Sequence, residues 1–187
     1  MQLVKYYSTL ILTAILISCS GGDEPAEQLK AIGGKQYGGE FKFMSSEKVS
    51  SLLPTYAADL YSMRMIAQIY QPLLLLNDEL EVIPNVSESY SVSEDGKVYT
   101  LKIRKGIYFH KDDCFGEEKH ELDANDVKFT LDMACSAYDN NQIYYLLIHR
   151  IKGADDHFRK SKNKHVKGGV SGIKVIDKNT LSITLTK

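Results

Sequence analysis

Hydrophobic and polar residues alternate along several short segments of this chain, which is the period of a half-buried strand. Tyr99, Leu101 and Ile103 alternate with polar neighbours, and a turn at Asp95-Gly96 precedes them. A side chain that faces the core is therefore followed by one that faces water. Strands are predicted over residues 40–44, 98–104, 170–176 and 181–185. Residues 73–76 and 80–84, on either side of a turn at 77–79, suit either a short strand pair or a strand and a loop.

A helical period takes over after the polar loop of residues 45–54. Asp59 is a suitable N-cap, and Pro72 ends the pattern, so a helix is predicted from Asp59 to about Gln71. Its apolar residues recur at helical spacing and are predicted to face the core: Leu60, Met63, Ala67 and Tyr70.

A second helix is predicted from Asp123, whose side chain can cap it, while Asp126 adds a charge that the helix dipole favours. Its predicted buried stripe is Val127, Leu131 and Ala134. Further helical stretches are predicted over residues 141–149 and 154–160. Strands and helices therefore alternate, and the sequence indicates an α/β fold.

The first residues form a separate segment with a positive start at Lys5 and an uncharged apolar stretch over residues 10–17. This stretch is too short to span a bilayer and is typical of a secretory signal. Its end, Leu16-Ile17-Ser18-Cys19, resembles a bacterial lipoprotein lipobox, which implies acylation of Cys19 and a place in the cell envelope, outside the cytoplasm. The alternative is a buried apolar helix that ends in Cys19. Residues 20–28 lack large apolar side chains and are predicted to form a tether.

Composition narrows the possible functions. The 187 residues suffice for one core of ordinary size. Lys and Arg number 23 against 24 Asp and Glu, a formal charge of −1. No basic field is available to hold nucleic acid, so a nucleic-acid partner is not predicted.

One cluster contains residue types that bind metals: His110, Asp112, Asp113, Cys114 and His120. It has a single cysteine and irregular spacing, so we predict a solvated loop and no metal site. Cys114 and Cys135 can pair as a disulfide outside the cytoplasm, or Cys135 can stay reduced in a helix core. The sequence contains no nucleophile elbow, phosphate-binding glycine loop or HExxH motif, so neither catalysis nor a cofactor is predicted.

Five segments, in this order, resemble the N-terminal part of the family-5 extracellular solute-binding proteins: residues 69–73, 82–90, 93–110, 122–129 and 172–181. Within them, Leu122-Asp123-Ala124-Asn125-Asp126-Val127-Lys128-Phe129 is similar to the family's "LTAEDVxFS". These proteins are the periplasmic or lipid-anchored peptide receptors of ABC importers. The resemblance covers residues 37–187.

The resemblance implies a class II periplasmic-binding-protein-like α/β fold, represented by an incomplete first lobe with an accessory α+β subdomain. The implied organisation is a lipoprotein signal peptide over 1–18, an acylated Cys19 and flexible tether over 19–36, strands of the main lobe over 37–58 and 168–187, and the accessory subdomain over 59–167.

The resemblance also implies two ligand-contact regions. The first is the loop after the first strand, with Ser46, Glu47, Lys48 and Val49. Leu53 stands there where the family commonly has Asp, which affects the local capping of that loop. The second precedes residues 151–153 and contains Asn141, Gln142, Tyr144 and Tyr145. The alternatives are a solvated turn for the first region and one core and one surface tyrosine for the second.

The function implied by the resemblance is capture of peptides, or of similar small solutes, outside the cytoplasmic membrane. Delivery to an ABC permease would follow, with attachment to the membrane through the lipid anchor and with no enzymatic activity. One alternative is a structural or adhesive surface lipoprotein. The other is a secreted metal-dependent enzyme built around His110, Cys114 and His120.

Overall fold

The computed structural model describes residues 29–30, 36–37, 40, 42–116, 118–162 and 164–187. The chain divides into two compact units, Met1–Met44 and Ser45–Lys187. The predicted signal segment, Cys19 and residues 20–28 of the predicted tether lie outside the described residues.

The first unit contains a short strand pair, in which β1 (Leu29–Lys30) is antiparallel to β2 (Gln36–Tyr37). The strand predicted over residues 40–44 is wrong for the described residues of that segment, since neither Glu40 nor residues 42–44 lie in a strand. Met44 is 96% exposed. An alternating pattern gives a strand only where a neighbouring strand supplies the ladder hydrogen bonds.

The second unit is a mixed α/β structure. Its helices and strands follow one another along the chain as α1 (Leu60–Ile69), β3 (Leu74–Leu76), β4 (Val82–Pro84), β5 (Ser87–Val92), β6 (Val98–Ile103), α2 (Ala124–Ala134), α3 (Ala154–Lys160), β7 (Ile173–Asp177) and β8 (Thr180–Thr184). The pairing of β3 with β4 confirms the predicted strand pair in that part of the chain.

Four strands form the central sheet in the order β5-β6-β8-β7, and every neighbouring pair is antiparallel. The predicted closing hairpin is confirmed as β7 and β8. Leu101 of β6 lies opposite Leu181 of β8, and Tyr99 lies opposite Ile183. The prediction that Tyr99, Leu101 and Ile103 face inward is confirmed, because Leu101 and Ile103 are buried and Tyr99 is half-buried. One continuous apolar face therefore crosses the sheet.

The prediction that Asp123 caps α2 is confirmed, and the structure adds that Asp126 completes a capping box. The Asp123 side chain accepts from the N–H groups of Asn125 and Asp126, and the Asp126 carboxylate accepts from the Asp123 N–H at 2.9 Å. Val127 and Ala134 are buried as predicted, and α2 contacts β7 and β8. The core lies between this helix and the sheet, and its buried residues are Val86, Leu101, Ile103, Ala124, Val127, Cys135, Ile151, Ala154, Val170, Ile173 and Leu181.

The start of α1 is also as predicted, but the predicted core stripe of this helix is wrong. Leu60 is 58% exposed and Met63 is 46% exposed, and Ala67 and Tyr70 are exposed too. Ser62 is the one buried residue of the helix. The apolar stripe has the correct spacing, but no described element covers it, and spacing alone cannot supply a covering element.

The helix predicted over residues 141–149 is present only as a 3-10 turn over Tyr144–Leu146. Two residues in left-handed conformation flank this segment, Asn140 with φ 66° and His149 with φ 64°. The Asn141 side chain also accepts from the Ile143 N–H, which competes with a helical hydrogen bond. The helix predicted over 154–160 is confirmed as α3.

The domain boundaries inferred from the family stay a prediction. β6, assigned to the accessory subdomain, pairs with β8, assigned to the main lobe, so the boundary at residue 168 passes through one sheet. In the described part of the chain, no helix has the length and apolar character needed to cross a bilayer.

Candidate functional site

The loop that precedes α1 is fastened to the first turn of that helix. The N–H groups of Ser50 and Ser51 donate to the Ser62 hydroxyl at 2.9 and 3.3 Å. Ser62 is fully buried, and its own N–H donates to Asp59 Oδ1 at 2.8 Å. The Ser50 hydroxyl donates to the other oxygen of Asp59. These bonds hold the C-terminal end of the loop in one position.

The same contacts stabilise the charged form of Asp59. Hydrogen bonds from the Ser50 hydroxyl, the Ser62 backbone and the Ser62 hydroxyl lower the pKa of Asp59 from 3.8 to about 2. Each of these donors favours the carboxylate over the protonated acid. The N-cap of α1 is therefore retained until the solution is strongly acidic.

The structure places all four predicted contact residues of this loop at the surface: Ser46, Glu47, Lys48 and Val49. The hydroxyl oxygens of Ser46 and Tyr61 are 2.8 Å apart, and the Ser45 hydroxyl donates to the Glu47 carbonyl oxygen at 2.9 Å. A ligand-contact loop and a solvated turn would both be exposed and held at one end, so this geometry does not distinguish them. The ligand role of these residues therefore stays a prediction.

The second predicted contact region is anchored by Asn141, which is 8% exposed. Its Nδ2 donates to the carbonyl oxygens of Ala134 at 3.0 Å and Ser136 at 2.7 Å, at the end of α2. Its Oδ1 accepts from the Ile143 N–H at 3.1 Å. The side chain thus pairs carbonyl groups that the helix end leaves without intrahelical partners, and it fixes the turn that follows.

The second predicted contact region is joined by one backbone hydrogen bond to the segment that follows the first. The N–H of Gln142 donates to the carbonyl oxygen of Thr55 at 2.7 Å. Gln142 is exposed. The structure therefore brings the turn of residues 142–145 beside the segment that leads into α1.

The two predicted tyrosines have different environments. Tyr144 is half-buried, and its ring stacks on Phe158 with 4.7 Å between the centroids. Tyr145 is 58% exposed and meets Tyr144 edge to face. Tyr144 therefore has a packing role, whereas the ring of Tyr145 is available at the surface, and this matches the alternative of one core and one surface tyrosine.

An apolar groove lies next to this turn, on the face of the central sheet beside α2. Its volume is about 420 Å³, which is within the usual range of small-ligand pockets. Strand residues of the sheet that line it are Tyr90, Tyr99, Leu101 and Ile183. The remaining lining residues are Pro72, Leu73, Leu74, Leu131, Leu146, Leu147, Arg150, Ile151 and Leu185.

Arg150 is the one charged residue among those that line the groove. Its Nη1 donates to the carbonyl oxygens of Tyr145 at 2.8 Å and Leu146 at 3.1 Å. The guanidinium group therefore ties the turn that carries Tyr145 to the edge of the groove. Sequence reasoning missed this groove, and the apolar pairs Leu73-Leu74 and Leu146-Leu147 were the only local signal of it.

The residues considered for a metal site are arranged differently. His120 stacks on Phe115 with 4.9 Å between the ring centroids, and its Nε2 lies 3.3 Å from Asp126 Oδ1. Among the described residues, no group of three or more His, Cys, Asp or Glu side chains is placed to hold a metal ion. His110, Cys114 and His120, the residues of the metal-enzyme alternative, are therefore not brought together as such a group in this part of the chain.

The structure does not bring the two candidate disulfide residues together, and both are free thiols. Cys114 is exposed, and a hydrogen bond to Asp112 raises the pKa of its thiol. Cys135 is buried at the end of α2, where burial raises the pKa of its thiol to about 12. Cys135 therefore corresponds to the second alternative, a reduced cysteine in the core.

Comparison with known protein families decides the classification of the chain. Residues 81–187 match the bacterial extracellular solute-binding proteins, family 5, middle region. The chain belongs to this family. The resemblance found in the sequence is thereby confirmed.

Individual proteins that are similar to this chain support the family assignment. The dipeptide-binding protein of Escherichia coli K12 is 33% identical over 107 residues, which are 57% of this chain and 18% of that protein. The oligopeptide-binding protein SarA of Streptococcus gordonii is 26% identical over 178 residues, 95% of this chain and 25% of SarA. The chain therefore spans about a fifth to a quarter of the length of these relatives.

Solved structures support the fold. Peptide-bound OppA of Listeria monocytogenes superposes with a TM-score of 0.60 and 24% identity, covering 76% of this chain and 26% of OppA. The predicted α/β fold of the periplasmic-binding-protein type is confirmed, in partial form. Membership of an extracellular family also places the folded part of the chain outside the cytoplasm, in the periplasm or at the exterior.

Proposed function

We propose that this chain belongs to a lipid-anchored receptor that captures peptides outside the cytoplasmic membrane and delivers them to an ABC permease. The observation that carries the proposal is the family match over residues 81–187, together with relatives that are dipeptide- and oligopeptide-binding proteins. The receptor has no catalytic step and needs no cofactor. A peptide would be held by contacts and released unchanged.

The arrangement of the two contact regions supports this function. The loop before α1 and the turn of residues 142–145 are each anchored from behind, by Ser62 and by Asn141. Loops held on a rigid scaffold are common positions for binding residues. Tyr145 offers an exposed ring, and apolar surface continues from it into the groove. Amphipathic rings of this kind contact varied side chains at low entropic cost.

In this family a ligand is enclosed between two lobes, as the sequence resemblance implies. This chain spans about a quarter of SarA. We therefore expect it to supply part of the contacts and to bind a peptide weakly, with a Kd of about 1 mM or higher.

The binding test is a titration of the ¹⁵N-labelled chain, residues 19–187, with tripeptides and pentapeptides up to about ten times that Kd. We expect the amide signals of residues 46–49 and 142–145 to shift together. Tyr145→Ala should weaken the effect at least several-fold, while Ile176→Ala, an exposed residue of β7, should leave it unchanged. Shifts confined to other residues, or an unresponsive spectrum, would contradict peptide capture at this site. Micromolar affinity would contradict the need for a second lobe.

The lipid anchor has its own test. The full chain is expressed in a bacterium with an alkyne-labelled fatty acid, and the label is detected on the purified protein. We expect Cys19→Ser to lose the label and the membrane association, while Cys114→Ser and Cys135→Ser keep both. An unlabelled wild-type chain in the cytosol would overturn both the anchor and the location.

A further inference from the structure

His157 lies on α3 and is buried, with 5% of its surface exposed. Its Nε2 is 2.9 Å from the Ser136 hydroxyl and 3.1 Å from the carbonyl oxygen of Asp132, both at the C-terminal end of α2. The Ser136 hydroxyl itself donates to the same carbonyl at 2.7 Å. Because a carbonyl oxygen only accepts, Nε2 carries the proton of the neutral ring. One imidazole N–H therefore joins α3 to α2.

The other ring nitrogen, Nδ1, is buried and has no hydrogen-bond partner among the described residues. His157 also borders a cavity of about 30 Å³, which is room for one water molecule. In the neutral ring Nδ1 is an acceptor, and leaving an acceptor unpaired is less costly than burying a charge. Adding a proton there would create a buried imidazolium.

The groups that face His157 do not compensate such a charge fully. From α2, the Asp132 carboxylate is attractive, but it already binds Lys128 Nζ at 2.8 Å and the Val170 N–H at 2.8 Å. Lys128 repels a proton on the ring. The buried Cys135 thiol follows on α2, and its pKa of about 12 keeps it neutral.

The other neighbours are two titratable side chains that line the cavity, Tyr138 and His165, and the backbone of Gly169. On α3 itself, Asp156 and Arg159 pair with each other at the surface. Burial is the largest influence and lowers the pKa of His157, although Asp132 and the Gly169 backbone oppose it. The neutral ring is therefore the form that the folded chain prefers.

This contact continues to the candidate ligand turn. The carbonyl oxygen of Ser136 accepts from Asn141 Nδ2 at 2.7 Å, and Asn141 Oδ1 holds the Ile143 N–H. Three hydrogen bonds thus lead from the imidazole of His157 to the turn that carries Gln142 and Tyr145. Protonation at Nδ1 leaves the Nε2–H donor in place, so the contact is lost only when the charged ring moves out of its buried position towards water. Ser136, which contacts both His157 and Asn141, would then pass that movement to the turn.

We propose that His157 is an acid-sensitive latch, which holds the end of α2 and the turn of residues 142–145 in place when neutral and releases them when protonated. The consequence for ligand capture rests on the proposed function, whereas the latch itself does not. An unfolded histidine titrates near pH 6.5, and the folded form resists the proton. The latch is therefore fully closed above pH 6.5 and is lost progressively as the pH falls below that value.

The test is an NMR titration of the chain without peptide, residues 19–187, between pH 8 and pH 4. The ring ¹⁵N shifts should show the Nε2–H tautomer at pH 7.5, and His157 should titrate below the histidine of an unstructured peptide. The amides of residues 142–145 should move with the same midpoint. Titration of His157 at or above the peptide value, or amides of the turn that ignore it, would overturn the proposal.

Two variants complete the test. His157→Gln keeps a side-chain N–H donor and cannot titrate, so the amide movement of residues 142–145 should disappear. His149→Gln removes an exposed histidine that contacts Asp155 and should leave that movement in place. If His157→Gln does not fold, the wild-type titration still decides the matter. Because no peptide is present, failure of the latch and failure of peptide capture can be distinguished.

Discussion

The two longest helices among the described residues, α1 and α2, begin in the same way and are packed in opposite ways. Asp59 caps α1 by accepting from the Ser62 N–H, and Asp123 caps α2 by accepting from the N–H groups of Asn125 and Asp126. α2 then buries an apolar face against the sheet, whereas the corresponding face of α1 is exposed. A cap fixes where a helix begins, and only a tertiary partner buries its apolar face.

The contrast extends beyond the helices. Most of the exposed large apolar side chains of the described residues lie between Val49 and Ile83, including Leu60 and Leu76. The buried core lies in the sheet, in α2 and in the segments packed beside them, all of which follow Pro84 in the chain. Residues 49–83 therefore expose much apolar surface. Burial of apolar side chains, and with it most of the stabilising free energy, is concentrated around the sheet and α2.

The largest expected effect compares one leucine from each region. Leu181→Ala opens a cavity beneath the sheet, because Leu181 is fully buried, and should lower the free energy of unfolding by about 2 to 5 kcal/mol. Leu60→Ala, at an exposed position of α1, should change it by less than about 0.5 kcal/mol. Urea unfolding of both variants measures the difference. Equal losses would show that α1 is covered in solution.

A smaller effect is expected at the cap of α2. Asp123→Ala removes both hydrogen bonds to the helix start and should cost about 1 kcal/mol of unfolding free energy. Asp123→Asn retains a capping oxygen and should stay close to wild type. The same urea experiment applies, and an alanine variant as stable as the asparagine variant would contradict a capping role.

The cap of α1 should instead respond to acid. The pKa of Asp59 is lowered to about 2, so its carboxylate stabilises the folded form above the unfolded value near 3.8 and loses that effect as the pH falls towards 2. Amide hydrogen exchange should show the first turn of α1 opening between pH 4 and 2. Asp59→Asn should make the protection of that turn, relative to the exchange rate of an unstructured peptide at the same pH, independent of pH over this interval. Protection that persists unchanged in the wild type would argue against the hydrogen bonds from Ser50 and Ser62.

The smallest change concerns the exposed face alone. Met63→Gln replaces an apolar side chain that is 46% exposed, and unfolding free energy should shift by less than about 0.5 kcal/mol. Binding of the dye ANS, which reports exposed apolar surface, should fall measurably. Unchanged dye binding together with a loss of stability would mean that Met63 is buried.

Local signals predicted much of this fold. The caps Asp59 and Asp123, the alternation in β6 and the β7–β8 hairpin each depend on neighbouring residues, and each is confirmed. β5 was missed because its sequence, Ser87–Val92, is mostly polar and is a strand through pairing with β6. β5 is an edge strand whose side chains are mostly exposed, so its sequence carries no apolar alternation that would indicate a strand.

In the candidate site too, some features could be predicted from the sequence and others depend on the folded chain. The family resemblance selected Gln142 and Tyr145 as ligand contacts, whereas the turn that carries them and its hydrogen bond to Thr55 are known only from the structure. It could not predict the groove, because the lining comes from segments as distant as Leu73 and Leu185. The role of Asn141 as an anchor also depends on the end of α2, which only the folded chain brings near.

The strand order of the central sheet has a consequence for folding during synthesis. β8 lies between β6 and β7, yet residues 180–184 are made after both of them. Until the ribosome has synthesised residues 180–184, β6 lacks its neighbour β8, and the four-stranded sheet cannot form. Pairing of β6 with β8 also requires closure of the long segment between them, which is slow. A polypeptide destined for export benefits from such a delay, since this sheet stays open until β8 emerges.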